Sequence, residues 1–269
     1  MDFLNRSHAP FGSDVWERVD AAAAEAAREL MTARRFLEVG GPYGPGLTSI
    51  ELSNDDYCRQ PEEGEAGAVM GRAVSVPMLR KTFKLSLRRI AAWQSNGQPL
   101  DLSPAEDAAE AVARLEEQIV YYGRPEFGLP GLLENSGACR MDGGDWTKPD
   151  DALENVLAAV TRLDEAGFRG PHALVLAPKY YNALFRRYPD SEMLLINHLR
   201  RLCTRGIFKA SIDGAAIIDP RVGSLEIGQD LMCGYVGTDG IHCELFVNES
   251  LVLRMQDEDA VCVIKPKSA

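Results

Sequence analysis

Chemistry at a protein site needs reactive groups that can meet, so the spacing of those groups is the first thing to read. Four histidines stand at 8, 172, 198 and 242, without a His-Glu-x-x-His pair and without a partner at ligand spacing, which disfavours zinc. Six cysteines (58, 139, 203, 233, 243, 262) are scattered and form no Cys-x-x-Cys, the pattern of reduced thiols. Cys233 and Cys243 flank an expected turn and could meet across a hairpin, but buried thiols fit them better than a redox pair. The sequence holds no Gly-x-Ser-x-Gly, no P-loop and no Gly-x-Gly-x-x-Gly after a strand. Its Gly-rich turn at 40–46 carries two prolines and no Lys-Ser/Thr, and makes a poor phosphate cradle. Glu116 and Glu117, with other carboxylates nearby, come nearest to an acid–base set. A solvated or pair-forming helix face accounts for them better. No catalytic site assembles, and the chain does not read as an enzyme.

Those two glutamates lie on the strongest element in the chain, Ser103 to Gly123. Ser103, Pro104 and Glu106 read as a capping box with proline at the first helical position. Ala108, Val112, Leu115, Ile119 and Tyr122 recur at spacings of three and four, which predicts one apolar face. Glu106, Asp107, Glu110, Arg114, Glu117 and Gln118 take the other sides, and Gly123 is the stop. A helix over 104–122 extends about 28 Å. It is the expected spine against which a sheet packs.

The rest of the chain divides around that spine. Met1–Phe11 reads as an arm, followed by a helix from Ser13 or Asp14 to about Arg35 with Trp16, Val19, Ala23, Ala26 and Leu30 on one side. Phe36–Val39 is a short strand before the 40–46 turn. Residues 47–78 alternate polar turns with short apolar pieces and bury little of themselves. A hairpin projecting from the body and covered by a neighbour explains such a segment, as does a structureless loop. Met78–Leu87 alternates as a strand, a helix with Ile90 and Trp93 ends at Asn96-Gly97, and Asp150 or Asp151 opens a helix that stops at Gly167. A strand at 172–177 and helices at 179–187 and 194–205 follow. Strands are then expected at 215–218, 225–228, 231–236, 241–247, 250–255 and 260–264. The class is α+β.

Composition sets outer bounds. The 269 residues carry a net charge of −11, which argues against a nucleic-acid coat. No apolar run approaches a membrane span, and Met1–Pro10 lacks the apolar core of a signal peptide, so a cytoplasmic protein is expected.

An ordered series of short motifs then resembles one family. Met1-Asp2-Phe3-Leu4-Asn5-Arg6-Ser7, Ala9-Pro10, Trp16 and Arg34-Arg35-Phe36-Leu37-Glu38-Val39-Gly40-Gly41-Pro42-Tyr43-Gly44 are similar to the start of the encapsulins, or linocin-type proteins. Thr82-Phe83-Lys84-Leu85, Asp101-Leu102-Ser103, Gly128-x-x-Gly131-Leu132-Leu133, Gly170-Pro171-His172-Ala173-Leu174-Val175 and Gly228-Gln229-Asp230-Leu231-x-x-Gly234-Tyr235 follow in that family's order. The resemblance covers nearly the whole chain. It implies the Hong Kong 97-type phage capsid fold: an N-terminal arm and helix over 1–46, an extended loop over 47–78, a peripheral domain over 79–135, a mainly axial domain over 136–219 and returning peripheral strands over 220–269.

The resemblance also implies a function and a set of sites. Encapsulins close into icosahedral shells around cargo enzymes (peroxidases, ferritin-like or hemerythrin-like proteins) that carry a C-terminal targeting peptide. On the inner wall the matching positions are Ala27, Leu30, Met31, Arg34, Phe36 and Glu38, with Leu231, Cys233 and Tyr235 opposite. The apolar members would take the peptide's side chains, and Arg34 and Glu38 its backbone or ends, while Leu30 and Phe36 fit plain core equally well. Arg186, Arg187, Tyr188, Pro189, Asp190 and Ser191 match the axial tip that lines a fivefold pore. Some members stack a flavin on a tryptophan shortly after the Phe-x-Leu strand. Arg88 holds that place here, the nearest tryptophan is Trp93, and no cofactor is expected. The alternative within the same fold is a phage or prophage major capsid protein that packages DNA. The acidic charge and the lack of a basic arm stand against it.

Overall fold

In the computed structural model, which describes residues 3–52, the backbone of 56–57, and residues 60–188 and 192–265, two β-sheets carry the chain. The first has the order β1 (Glu38–Gly40), β11 (Gly223–Asp239), β12 (His242–Met255) and β6 (Met78–Ser86). Its centre is one long hairpin, β11 and β12, turning at Gly240. At 3.3 Å per residue β11 extends about 55 Å. The four short strands expected between 225 and 255 are therefore two. Bulges rather than turns separate their apolar runs, at Ile227/Gln229, Gln229/Met232 and Tyr235/Gly237, and the ladder continues past each. β6 alternates as its sequence does, burying Leu79, Phe83 and Leu85.

Helices α1 (Ser13–Leu30) and α3 (Ser103–Tyr122) pack on each other and against this sheet. α3 is the spine, and it is buried on more sides than its pattern predicts. Ala105, Ala109 and Ala113 have no exposed surface, so α1 approaches closely, and Glu116 and Glu117 are buried with them. Only Glu106, Asp107, Arg114 and Gln118 of the expected polar side stand in solvent, with Glu110 half-buried. The capping box is also replaced. Ser103 lies inside the helix, and Asp101 Oδ1 accepts from its backbone N–H (3.1 Å) and its hydroxyl (2.7 Å), which holds the Asp101 carboxyl below its ordinary value. In α1 the buried stripe is Val15, Trp16, Val19, Ala23 and Ala27; Ala26 and Leu30 are only half-buried. α2 (Leu87–Asn96) ends at Gly97 in the left-handed conformation, where Asn-Gly placed its stop.

The second sheet has the order β7 (Cys139–Asp142), β13 (Val261–Lys265), β10 (Ala215–Ile218), β8 (Ala173–Leu176) and β9 (Gly206–Lys209). Helix α4 (Pro149–Glu165) packs on β13 and β10, and the short α5 (Pro178–Ala183) on β8 and β9. α6 (Leu195–Leu202) packs against α4. β8 and β10 are buried at every position, as continuous apolar runs inside a layered sheet must be. The C-terminal strand β13 belongs here, between β7 and β10. The block 220–269 therefore divides between the sheets, with β11 and β12 in the first and β13 in the second.

Between β1 and β6 the chain projects as an antiparallel arm. β2 (Ser49–Glu51) pairs with β5 (Ala73–Ser75) at its root, and β3 (Asp56–Tyr57) with β4 (Val69–Met70) further out. The strand pairings within 47–78 are those of a hairpin. Val74 anchors the root in the core, while Val69 and Met70 are 52% and 63% exposed.

Gly123 closes the spine with φ +69, and a Cβ there would sit 2.4 Å from the Leu129 carbonyl oxygen and 2.8 Å from the Gly131 nitrogen. Neither neighbour is a side chain that can turn away. Gly123→Ala should therefore cost at least about 2 kcal/mol, read as a lowered melting temperature of the purified protein. An unchanged melt would show that this turn tolerates a side chain.

Candidate functional site

Residues 32–34 follow α1 directly, and two consecutive glutamates of α3 hold them. Glu117 Oε1 accepts from the backbone N–H of Thr32 (2.8 Å) and Ala33 (3.1 Å), and its Oε2 meets the Thr32 hydroxyl, which in turn meets the Tyr121 hydroxyl at 2.8 Å. Burial pushes the Glu117 carboxyl up to about 7, against the pull of those bonds. Glu116 takes Arg34 in two parallel bonds, Nε to Oε1 at 2.8 Å and Nη2 to Oε2 at 2.7 Å. Arg34 also donates to Glu249 Oε2 of β12 and to Asp230 Oδ1 of β11, each at 2.8 Å. Burial works against the charge on Arg34, but the three carboxylates outweigh it and hold the guanidinium protonated. Burial and the nearby Glu116 raise the Glu249 carboxyl well above its usual range, against the pull of Arg34.

The Gln229/Met232 bulge brings Asp230 to this cluster. Gln229 pairs with Ser250 and Met232 with Asn248, so β11 spends three steps against two on β12, and Asp230 and Leu231 have no ladder partner. Between them and the end of α1 lies a groove of about 420 Å³. Ala24, Ala27, Met31 and Leu231 form its apolar lining, and Arg28, Arg34, Arg35 and Asp230 surround them. Ala24, Ala27, Arg28 and Met31 recur at i, i+3, i+4 and i+7, the spacing of one helical face. That signal was present in the sequence for Ala24 and Arg28. Nothing local marked Asp230, which reaches the site through the bulge.

The nine inner-wall positions separate in the structure. Ala27, Met31, Arg34 and Leu231 come together at the groove. Leu30 turns to a different, smaller cavity beside Arg114, Glu117 and Gln118. Phe36 is core, 1% exposed and packed on Phe208 with ring centres 5.4 Å apart. Glu38 is exposed on β1, in register with Ser224 rather than near the groove. The chain's own N-terminal segment covers Cys233 and Tyr235. Arg6 Nε donates to the Cys233 carbonyl (2.8 Å), the Cys233 N–H donates to Asp20, and the Tyr235 N–H donates to the Leu4 carbonyl (2.8 Å). Arg34 bonds carboxylates through Nε, Nη1 and Nη2 while it lines the groove.

The tip loop is described in part. Arg186 donates to the Thr147 carbonyl, Arg187 bridges to Leu194, and the Tyr188 ring packs on His198 at 5.0 Å. Pro189, Asp190 and Ser191 lie outside the described residues, as does Cys58. Cys233 and Cys243 do not meet: Cys233 pairs with Val247, and Cys243 with Thr238 and Leu85. Trp93 packs its ring on the Arg18 guanidinium, 4.8 Å away. Among the described residues no cluster of His, Cys, Asp and Glu could hold a metal ion, and no helix is long and apolar enough to cross a membrane.

Residues 1–252 match the family described as "Encapsulating protein for peroxidase" (Linocin_M18). The chain belongs to this encapsulin family. Among its relatives, the type 1 encapsulin shell protein EncA of Myxococcus xanthus is 28% identical over 100% of this chain and 98% of that protein. A virus-like particle from Pyrococcus furiosus shares the fold with a TM-score of 0.73 at 23% identity, covering 94% of this encapsulin and 100% of the particle chain. The capsid of the myovirus phage XM1 follows at 0.60 and 16%, covering 88% and 92%. The encapsulin fold here is thus the Hong Kong 97-like capsid fold.

Glu117 generates a pH dependence of known sign. Its folded value of about 7 lies above the ordinary 4.5, so the folded state holds the proton more tightly. Its contribution is complete below about 4.5 and is lost as pH rises through about 7, a span of about 3 kcal/mol. Glu117→Gln keeps an acceptor for Thr32 and Ala33 and removes the titration. Melting both proteins at pH 5 and pH 8 should show the variant gaining on the wild type at the higher pH. A gap that does not change with pH would mean Glu117 ionises freely.

Proposed function

We propose that this encapsulin is a non-enzymatic shell subunit that closes with copies of itself into an icosahedral compartment in the cytoplasm. The arm carries the proposal. Among the described residues its strands pair with one another, and Val69 and Met70 leave an exposed apolar surface. Closed symmetry covers such a surface with an identical neighbour. The compartment holds a cargo enzyme of the peroxidase, ferritin-like or hemerythrin-like kind, recruited by a C-terminal tag, without a flavin or other resident cofactor. The groove between α1 and the β11 bulge supports this reading, because its apolar lining and charged surround suit a short apolar peptide. Phage capsids share the fold, but a chain of net charge −11 repels packaged DNA rather than drawing it in.

Negative-stain images of the purified protein should show hollow particles of one diameter. A variant lacking residues 56–70 should keep its circular dichroism and fail to close. Normal shells from that variant would make the arm dispensable.

Leu231→Asp tests the groove. It places a carboxylate among Ala27 and Met31, where an apolar tag would have to bury it at a cost of several kcal/mol. Co-expression with a tagged cargo should yield intact shells with at least tenfold less cargo per subunit by densitometry. Full loading would exclude this groove as the tag site.

A further inference from the structure

Two thiols of the second sheet stand side by side. β7 and β13 run parallel, and Cys139 is in direct register with Cys262. Neighbouring strands lie about 4.8 Å apart, inside the Cα separation of about 4.4–6.8 Å that a disulfide spans. Side chains in direct register on parallel neighbours lie on the same face of the sheet, and both cysteines are free thiols. Arg162 of α4 completes the cluster: its Nη1 donates to Cys139 Sγ at 3.5 Å and to the Arg140 carbonyl at 3.2 Å. β7 is an edge strand and Cys139 is half-buried, so small solutes can reach its sulfur. Cys262 is fully buried, and burial, with the Cys139 contact adding to it, pushes its thiol up to about 12.

We infer that Cys139 and Cys262 are a reversible redox pair that a hydroperoxide oxidises to an intramolecular disulfide. The asymmetry of the pair assigns the roles. The Cys139 sulfur attacks one peroxide oxygen, the O–O bond breaks, and Cys139 becomes a sulfenic acid as an alcohol or water leaves. The Cys262 sulfur then attacks Cys139, the S–O bond breaks, and the released hydroxide leaves as water with the Cys262 proton. Two thiols lose two electrons and two protons, and one hydroperoxide accepts them. Arg162 is a positioning residue that sets a positive charge against the sulfur that reacts first. Direct strand neighbours must draw their Cβ atoms to about 3.5–4.5 Å to form the bond, and an edge strand can move to allow it. The same strain makes the bond easy to reduce, which is the property of a reversible site.

The assembled full-length protein is treated with hydrogen peroxide, denatured in N-ethylmaleimide and mapped by mass spectrometry. The expected product is a single linked pair, Cys139 with Cys262, that dithiothreitol returns to two labelled thiols while the other cysteines stay labelled throughout. Cys262→Ser should leave Cys139 as a sulfenic acid trapped by dimedone. Arg162→Gln should slow the loss of the Cys139 thiol several-fold without changing the melting temperature, an effect that a merely structural arginine would not produce. Should either variant fail to fold, the wild-type map decides alone. A Cys139 that oxidises without linking to Cys262, that links to another subunit, or that stays labelled under peroxide would overturn the inference.

Discussion

Arg34 is the charge on which the inner part of the first sheet depends. It follows α1 by a few residues and binds Glu116 of α3, Glu249 of β12 and Asp230 of β11, so a single guanidinium joins four parts of the chain that are distant in sequence. Glu116 and Glu249 have no exposed surface. Without the guanidinium they would be an uncompensated acidic pair in the core, a loss of about 3–5 kcal/mol by the usual cost of breaking a buried ion pair. Planar, forked geometry explains why arginine holds this place, since lysine offers a point charge to one carboxylate at a time.

The groove follows from that clamp. Glu116 and Glu117 fix residues 32–34, which fixes where α1 stops, and the bulge in β11 brings Asp230 to the same guanidinium. Leu231 comes with Asp230 and faces Ala27 and Met31 across the gap. A ladder without the bulge would hold Asp230 and Leu231 in paired positions against β12. The extra residue at the bulge is therefore what separates a docking surface from a continuous sheet edge. The N-terminal segment lies further along β11, where Leu4 and Arg6 bond to the Tyr235 and Cys233 backbone.

Away from the clamp, the single chain is incompletely covered. The arm stands on Val74 and extends beyond the body with Val69 and Met70 exposed, and Met78 at its return is 41% exposed. A subunit built to stay alone would replace these with charged residues, as isolated edge strands do. The second sheet is different. β8 and β10 are fully buried by their own helices, so that half of the molecule completes its core without a neighbour.

Much of the architecture was legible in the sequence, because periodicity reports which face a segment must bury. The spine, the β6 alternation, the Asn96-Gly97 stop, the α4 helix and the ordered family motifs follow from local pattern. What local pattern does not carry is the partner across the fold. Glu117 sits among polar residues on a helical wheel, yet it is buried, because residues 32 and 33 bring two backbone N–H groups to it. Ser103 has the sequence of a cap, yet Asp101 lies two residues earlier and accepts both of its bonds. Phe36 and Met31 are five residues apart and equally apolar, yet one packs on Phe208 in the core and the other lines the groove. Cys139 and Cys262 are separated by most of the second half of the chain, and only the parallel pairing of β7 with β13 puts them in contact. Sequence determines what each segment has to bury or satisfy; the tertiary structure decides which distant residue does it, because charge pairing, bulges and strand register act through space.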